Sequence, residues 1–353
     1  MKLLEETVRG IAPQDEGSRG AAKARLEQLT MPYWALGRLM DLALDLAGIT
    51  RSIKPPIERR AVVTMAADHG VTTEGVSKYP PEVTCQMVRN FADGGAGINA
   101  MARISGSSVV VVDMGVAGDL SELVETGKVI SKRIRAGTRN MAVGPAMSRD
   151  DAIRSIEAGI ELALELGGSF DLLGTGDMGI GNTTPSSAIV AVFTGRPPLE
   201  VTGRGTGIDD AQFQHKVSVI ERSLSVNQPD PEDALDALAK VGGFEIGGIA
   251  GLILGAASVR KPVLIDGFIS AAGALVAHGL CPVAAEYMIA AHRSMEQGHR
   301  VALDHLGKRP LLDLDLRLGE GTGAALAMTL VEAAFRVLTE VATFEEAAVS
   351  KAR

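Results

Sequence analysis

Short, continuous apolar runs recur along this chain, and each stops at a glycine beside an acid. Residues 61–67 lead into Asp68-His69-Gly70, and the valines 109–112 into Asp113-Met114-Gly115. Residues 170–173 lead into Gly174-Thr175-Gly176-Asp177, and 262–265 into Asp266-Gly267. Runs of this length without polar alternation read as strands buried on both faces. Helical periodicity between them predicts helices over 150–166 and 184–193, and the glycine-interrupted apolar stretches 246–259 and 268–280 read as buried helices. Strands alternating with helices imply a mainly parallel sheet covered on both sides. In such sheets ligands bind beyond the carboxyl ends of the strands, where all four glycine and acid turns fall.

Both chain ends are helical in pattern. Leu26, Leu29, Leu36, Leu39, Leu42 and Leu46 keep helical spacing, with Pro32 breaking the run and Gly48, Pro55 and Pro56 closing it. Near the other end, Leu326, Met328, Leu330, Ala333, Phe335 and Leu338 give 322–342 a broad apolar face, so the two ends are expected to pack as a small second lobe.

With 46% hydrophobic and 22% charged residues, the 353-residue chain has ample core for one large α/β domain with an appendage. Aromatics are only 3%, so packing must rest on aliphatic side chains. A formal charge of −8 argues against a nucleic-acid partner, which needs a basic footprint. Neither 246–259 nor 268–280 reaches the ~20 residues of a membrane span, so no membrane partner is expected. The first residues carry no secretion-type apolar segment, and two cysteines, Cys85 and Cys281, suit a reducing compartment. The expected location is the cytoplasm.

The stretch from Gly174 to Pro185 contains GxGxxG at Gly174, Gly176 and Gly179, with Glu200 further on, which on paper matches a dinucleotide fingerprint. That fingerprint needs a helix to begin within the glycines, and Pro185 could not sit inside such a helix. The pattern instead predicts a longer glycine loop feeding a helix with Thr184 as N-cap and Pro185 first. Free N–H groups at that helix start suit a phosphate, the alternative being a tight structural turn. A second loop, Gly203-Arg204-Gly205-Thr206-Gly207, adds a cation, and Arg204 could meet an anion or be solvated. Asp209-Asp210 is a weak match to the paired acids of pyrophosphate-using transferases, because the order relative to the loop is reversed. His69 beside Asp68, and His292 with His299 at a spacing of seven on an expected helix, read as structural or exposed rather than as metal ligands.

These loops, together with the stretch Asp68 to Pro80, Gln86-Met87, Asp266-Gly267-Phe268 and Arg317-Leu318-Gly319-Glu320-Gly321, resemble one family from about residue 25 to about residue 340. It is the nicotinate-nucleotide:dimethylbenzimidazole phosphoribosyltransferase family of cobamide lower-ligand assembly. The resemblance implies a three-layer α/β/α fold with a Rossmann-like sheet over 55–305 and a small helical domain from 1–54 and 306–353. It also implies a homodimer that needs no cofactor. By the same resemblance Glu320 is the catalytic base, and Asp177, which stands where the family commonly has glutamate, is the second catalytic candidate. Met178, Gly179, Gly181, Asn182, Thr183 and Thr184, with Gly203, Arg204, Gly205 and Thr206, correspond to holders of the donor's phosphate and ribose. Ser77, Tyr79, Gln86, Met87 and Leu318 fall at the benzimidazole slot. Lys216 aligns near the phosphoribosyl group, and Asp266 and Phe268 complete the substrate-binding set. Aspartate at 177 reaches about an ångström less far than glutamate. The loop could shift inward, a water could bridge, the carboxylate could matter less, or the preferred base could differ.

The chemistry suits these groups. The partners implied are nicotinate mononucleotide and a benzimidazole-like base. In the donor the glycosidic nitrogen is a pyridinium, so nicotinate can leave without a metal. A neutral azole attacks more strongly when a carboxylate removes its N–H proton, and burial would raise a glutamate toward working pH. On local pattern alone Glu320 could equally be a carboxylate at the start of the helix over 322–342. Cys85, near the expected base slot, reads as a small apolar wall. Two other classes remain: a nucleotide or azole sensor without chemistry, and a dinucleotide oxidoreductase, against which Pro185 speaks.

Overall fold

Eight consecutive buried residues make up Arg60–Ala67, the strand β1, and that burial explains why its apolar run does not alternate. The computed structural model describes residues 1–205 and 207–350. Besides β1 it contains β2 (Ser108–Gly115), β3 (Ile130–Ser131), β4 (Leu172–Met178), β5 (Val263–Ile265) and β6 (Met288–Ala290), all paired in parallel in the order β3-β2-β1-β4-β5-β6. Strand order reverses between β1 and β4, so a crevice opens beyond their carboxyl ends.

Alternate β1 residues face opposite layers. Ala61, Val63, Met65 and Ala67 share a core with the helices Arg149–Gly167, Thr183–Thr194, Phe244–Ser258 and Phe268–Leu280. Val62 and Ala66 share the other core with Glu16–Leu26, Arg38–Thr50, Gly97–Ser105 and Thr322–Glu340. The fold is therefore three-layered. Helices from the two chain ends meet within the second layer, and Leu29 forms an antiparallel bridge to Thr343. The helix Lys2–Gly10 lies on the opposite layer, against Arg149–Gly167 and Phe244–Ser258. Thr322–Glu340 is long and apolar enough to cross a membrane, yet its apolar residues pack on the sheet and on Arg38–Thr50, the setting of a core helix.

Two expectations need correction. Gly174 and Gly176 do not begin a loop; they are strand residues of β4, which runs on to Met178. Their lack of a side chain serves close packing, since a Cβ on Gly176 would lie 2.3 Å from the carbonyl oxygen of Glu320. The helix expected to begin at Thr184 starts instead at Thr183, with Asn182 before it. Pro185 falls in its third position, where the missing N–H has no intrahelical partner to lose. The strands β3 and β6 are two and three residues long, too short for any periodic signal.

Candidate active site

The turn Gly319-Glu320-Gly321 is left-handed throughout, with φ of 83°, 63° and 95°. For Glu320 this conformation costs roughly 1–2 kcal/mol, so the surroundings must impose it. Thr64 of β1 donates its hydroxyl to the Glu320 carbonyl oxygen at 2.8 Å. Buried Asp266, just after β5, accepts from Ala324 N at 2.8 Å and Gly321 N at 3.3 Å, capping the helix Thr322–Glu340. The Glu320 side chain turns away from that helix, and its Oε2 accepts from Ile98 N at 3.0 Å, at the start of Gly97–Ser105. It therefore does not serve as a carboxylate for its own helix. Burial raises its pKa above the ordinary value; the Ile98 N–H opposes this, and the charge of Asp266 adds to it.

Asp177, in β4, is buried and pushed up to about 8, first by burial and then by Asp266, with the Asn182 hydrogen bond opposing. Asn182 Nδ2 donates to its Oδ2 at 2.9 Å, while Oδ1 is unpartnered. Near neutral pH Asp177 holds a proton, so the corner that contains Glu320 and Asp266 is spared one negative charge.

At the other end of the site stands the N-terminus of Thr183–Thr194. Lys216, buried on the helix Asp210–Asn227, donates from Nζ to Thr183 Oγ1 at 2.6 Å. Burial lowers its pKa to about 8, against the pull of Glu296. Glu296 is raised by burial, with Lys216 opposing. The start of this helix and an ammonium here suit an anion, although Thr184 N is already bonded to Gly181 O and Pro185 has no N–H.

A cavity of about 490 Å³ joins the two ends, a size fit for a small ligand. Of the residues expected from sequence, Ser77, Tyr79 and Met87 line it with Leu318 and Glu320 at one end. Asp177, Met178, Gly179, Gly181, Asn182 and Thr183 form its floor. Gly205, Lys216 and Phe268 close the far side. Others lie elsewhere. Gln86 is exposed beside Met87, Thr184 is fully buried, Gly203 backs Glu296, and Asp266 lies under the Glu320 turn. Arg204 is tied back to Asp210 and the Ile208 carbonyl and lies over the Phe213 ring. Thr206 lies outside the described residues. Cys85 does not line the cavity; its Sγ lies 3.8 Å from the Asp119 carbonyl oxygen.

His292, Ser294, Glu296 and Arg317, which the sequence did not single out as site residues, also line the cavity. The first three follow β6, whose three residues carry no pattern, whereas Arg317 lay in plain view inside the glycine string around Glu320. His292 and His299 do not share a helix, since His299 alone lies in Gln297–His305. His299 Nδ1 accepts from Ser294 N at 2.9 Å, which requires a neutral ring, and burial lowers its pKa to about 3. His69 Nε2 lies 2.7 Å from Glu245 Oε1 in a buried pair beneath Gly179.

A family model described as phosphoribosyltransferase matches residues 11–349. A nicotinate-nucleotide–dimethylbenzimidazole phosphoribosyltransferase of Syntrophotalea carbinolica is 65% identical over 353 residues, covering 100% of both chains. One from Desulfotalea psychrophila is 58% identical, with 99% of each chain covered. The crystal structure of CobT from Thermus thermophilus superposes with a TM-score of 0.91 at 46% identity, covering 95% of this chain and 100% of that one. Similarity that runs through both cavity ends and the whole three-layer frame leaves one assignment: the chain belongs to the nicotinate-nucleotide–dimethylbenzimidazole phosphoribosyltransferase family.

Proposed function

We infer that this enzyme moves the phosphoribosyl group of nicotinate mononucleotide to 5,6-dimethylbenzimidazole or a related base, in building the nucleotide loop of cobamides. The products are the α-riboside 5′-phosphate and nicotinate. One observation carries the reading: a buried carboxylate with a raised pKa, Glu320, lines the same cavity as a helix N-terminus and Lys216. The phosphate belongs at Gly179–Thr183 and Lys216, and the base at Ser77, Met87 and Leu318.

Glu320 takes the azole N–H proton as the other ring nitrogen attacks C1′. The C1′–N bond to nicotinate breaks, and its electron pair neutralises the pyridinium. Attack opposite the leaving ring turns a β-nucleotide into an α-nucleotide in one inversion. Much of the acceleration comes from holding the two rings in line. Asp177, kept neutral, fixes Asn182 in the phosphate loop. A homodimer, a cytoplasmic setting, and a division into 55–305 and a helical part from 1–54 and 306–353, with Lys2–Gly10 packed instead against helices of the larger part, complete the proposal; family membership supports the dimer and two free thiols the setting.

The test is to incubate pure protein with nicotinate mononucleotide and a panel of benzimidazoles, purines and phenols. Products are identified by mass and chromatography. We expect α-riboside phosphates together with stoichiometric nicotinate. Donor binding without nicotinate release with any base would leave a sensor rather than an enzyme.

The pH profile follows from the two raised or lowered groups. Glu320 acts only when deprotonated, so kcat falls as pH drops through its raised pKa. Lys216 grips phosphate only when protonated, so donor KM rises as pH climbs through about 8. A flat KM across that pH range would remove Lys216 from the phosphate site.

A further inference from the structure

Glu296 has no place in the proton transfer above, yet it is built into the cavity with care. It sits at the N-cap position of Gln297–His305 without capping that helix. Its carboxylate instead turns toward the second glycine loop, where Oε1 accepts from Gly205 N at 3.0 Å. Oε2 is buried and unpartnered. The residue is 9% exposed and lines the cavity beside Ser294, Gly205 and Lys216. A Cβ on Gly203 would fall 1.8 Å from Oε2, so glycine there leaves room for the carboxylate.

A buried carboxylate beside a phosphate site needs a reason, because it repels the anion. Lys216 offsets that charge, but an apolar residue would have offset nothing and repelled nothing. What a carboxylate supplies is an acceptor. Phosphate wants donors, which the helix start, Thr183 and Lys216 provide. Ribose offers two hydroxyl donors, and these want an acceptor next to the phosphate side. Among the described residues the cavity has three carboxylates, and Asp177 and Glu320 belong to the β4 and base side. Glu296 alone stands at the second glycine loop.

Building on the functional reading above, we propose that Glu296 accepts a hydroxyl of the donor's ribose and selects a ribonucleotide over its deoxy counterpart. The part of the carboxylate that lines the cavity is the acceptor, and the Gly205 N–H holds the group in place. A hydrogen bond to a charged acceptor in a buried site is worth about 10- to 100-fold in affinity, and a polar site left empty penalises the analogue that lacks the hydroxyl.

The experiment compares nicotinate mononucleotide with its 2′-deoxy and 3′-deoxy forms, by calorimetric binding and by turnover. Wild type, Glu296→Ala and Glu296→Gln are measured, with thermal melting to verify folding. Wild type should bind one deoxy donor about 10- to 100-fold more weakly than the ribonucleotide. In Glu296→Ala that ratio should collapse to about one to three, and Glu296→Gln, which keeps one acceptor oxygen, should fall between. Should alanine fail to fold, the glutamine variant decides, and an unchanged ratio in it overturns the assignment. Equal weakening of all three donors also overturns it, since Glu296 would then only prop the Gly205 loop. Wild type that binds no nicotinate mononucleotide sinks the functional reading itself and the assignment with it, a result distinct from binding with unaltered discrimination.

Discussion

Glutamine in place of Glu320 is expected to lower kcat by about 10²- to 10⁴-fold, the range for loss of a general base, while nicotinate mononucleotide binds as before. The amide keeps an oxygen where Oε2 now accepts the Ile98 N–H, so the start of Gly97–Ser105 stays satisfied. The left-handed turn and its anchors at Thr64 and Asp266 involve backbone atoms that the change does not touch. Only the ability to take a proton is lost. Steady-state kinetics with calorimetric donor binding would check this. The acid limb of the kcat profile should vanish in the residual activity. Turnover within about threefold of wild type would remove Glu320 from the role of base.

Alanine at Gly176 should damage both stability and turnover, although residue 176 is not among those lining the cavity. The added methyl would sit 2.3 Å from the Glu320 carbonyl oxygen and 2.9 Å from Gly321 N. These are backbone atoms, and the same carbonyl is already engaged by Thr64. Neither strand nor turn can yield cheaply. Overpacking of this kind costs about 1–3 kcal/mol, or a fall in Tm of about 1–4 °C for a chain this long. Displacing the turn by about an ångström should lower kcat by up to about 10²-fold. Gly20, with nothing within 4 Å of an added Cβ, is the matched control and should tolerate alanine. Wild-type melting and turnover in Gly176→Ala would mean that the Glu320 turn does not rest on β4.

The two changes separate what a motif carries from what packing carries. Glu320 stood out in the sequence because glycines flank it within a string that resembles a family pattern. Gly176 also stood out, but as part of a phosphate loop. It is a strand residue whose bareness seats the Glu320 turn. Local sequence shows that a glycine is needed without showing which atom comes near it.

Lys216 and Glu296 make a similar contrast. Both are buried, and each moves the other's pKa, yet they lie far apart along the chain. Lys216 could be placed near the donor by family resemblance. Glu296 follows β6, a three-residue strand at the sheet edge that no periodicity could reveal.

Sequence alone determined the parallel layered sheet, because strands buried on both faces must be apolar at every position. It also pointed to the carboxyl ends of those strands, where two of the four runs, those ending at Asp177 and Gly267, reach the cavity. The helix Phe268–Leu280 was legible to the residue. Tertiary structure alone decided which acids are raised above their ordinary pKa, which arginine is tied back, and which carboxylate has an unpartnered oxygen. Those properties depend on desolvation and on hydrogen bonds between segments far apart in the chain, and neither is set by a residue's neighbours in sequence.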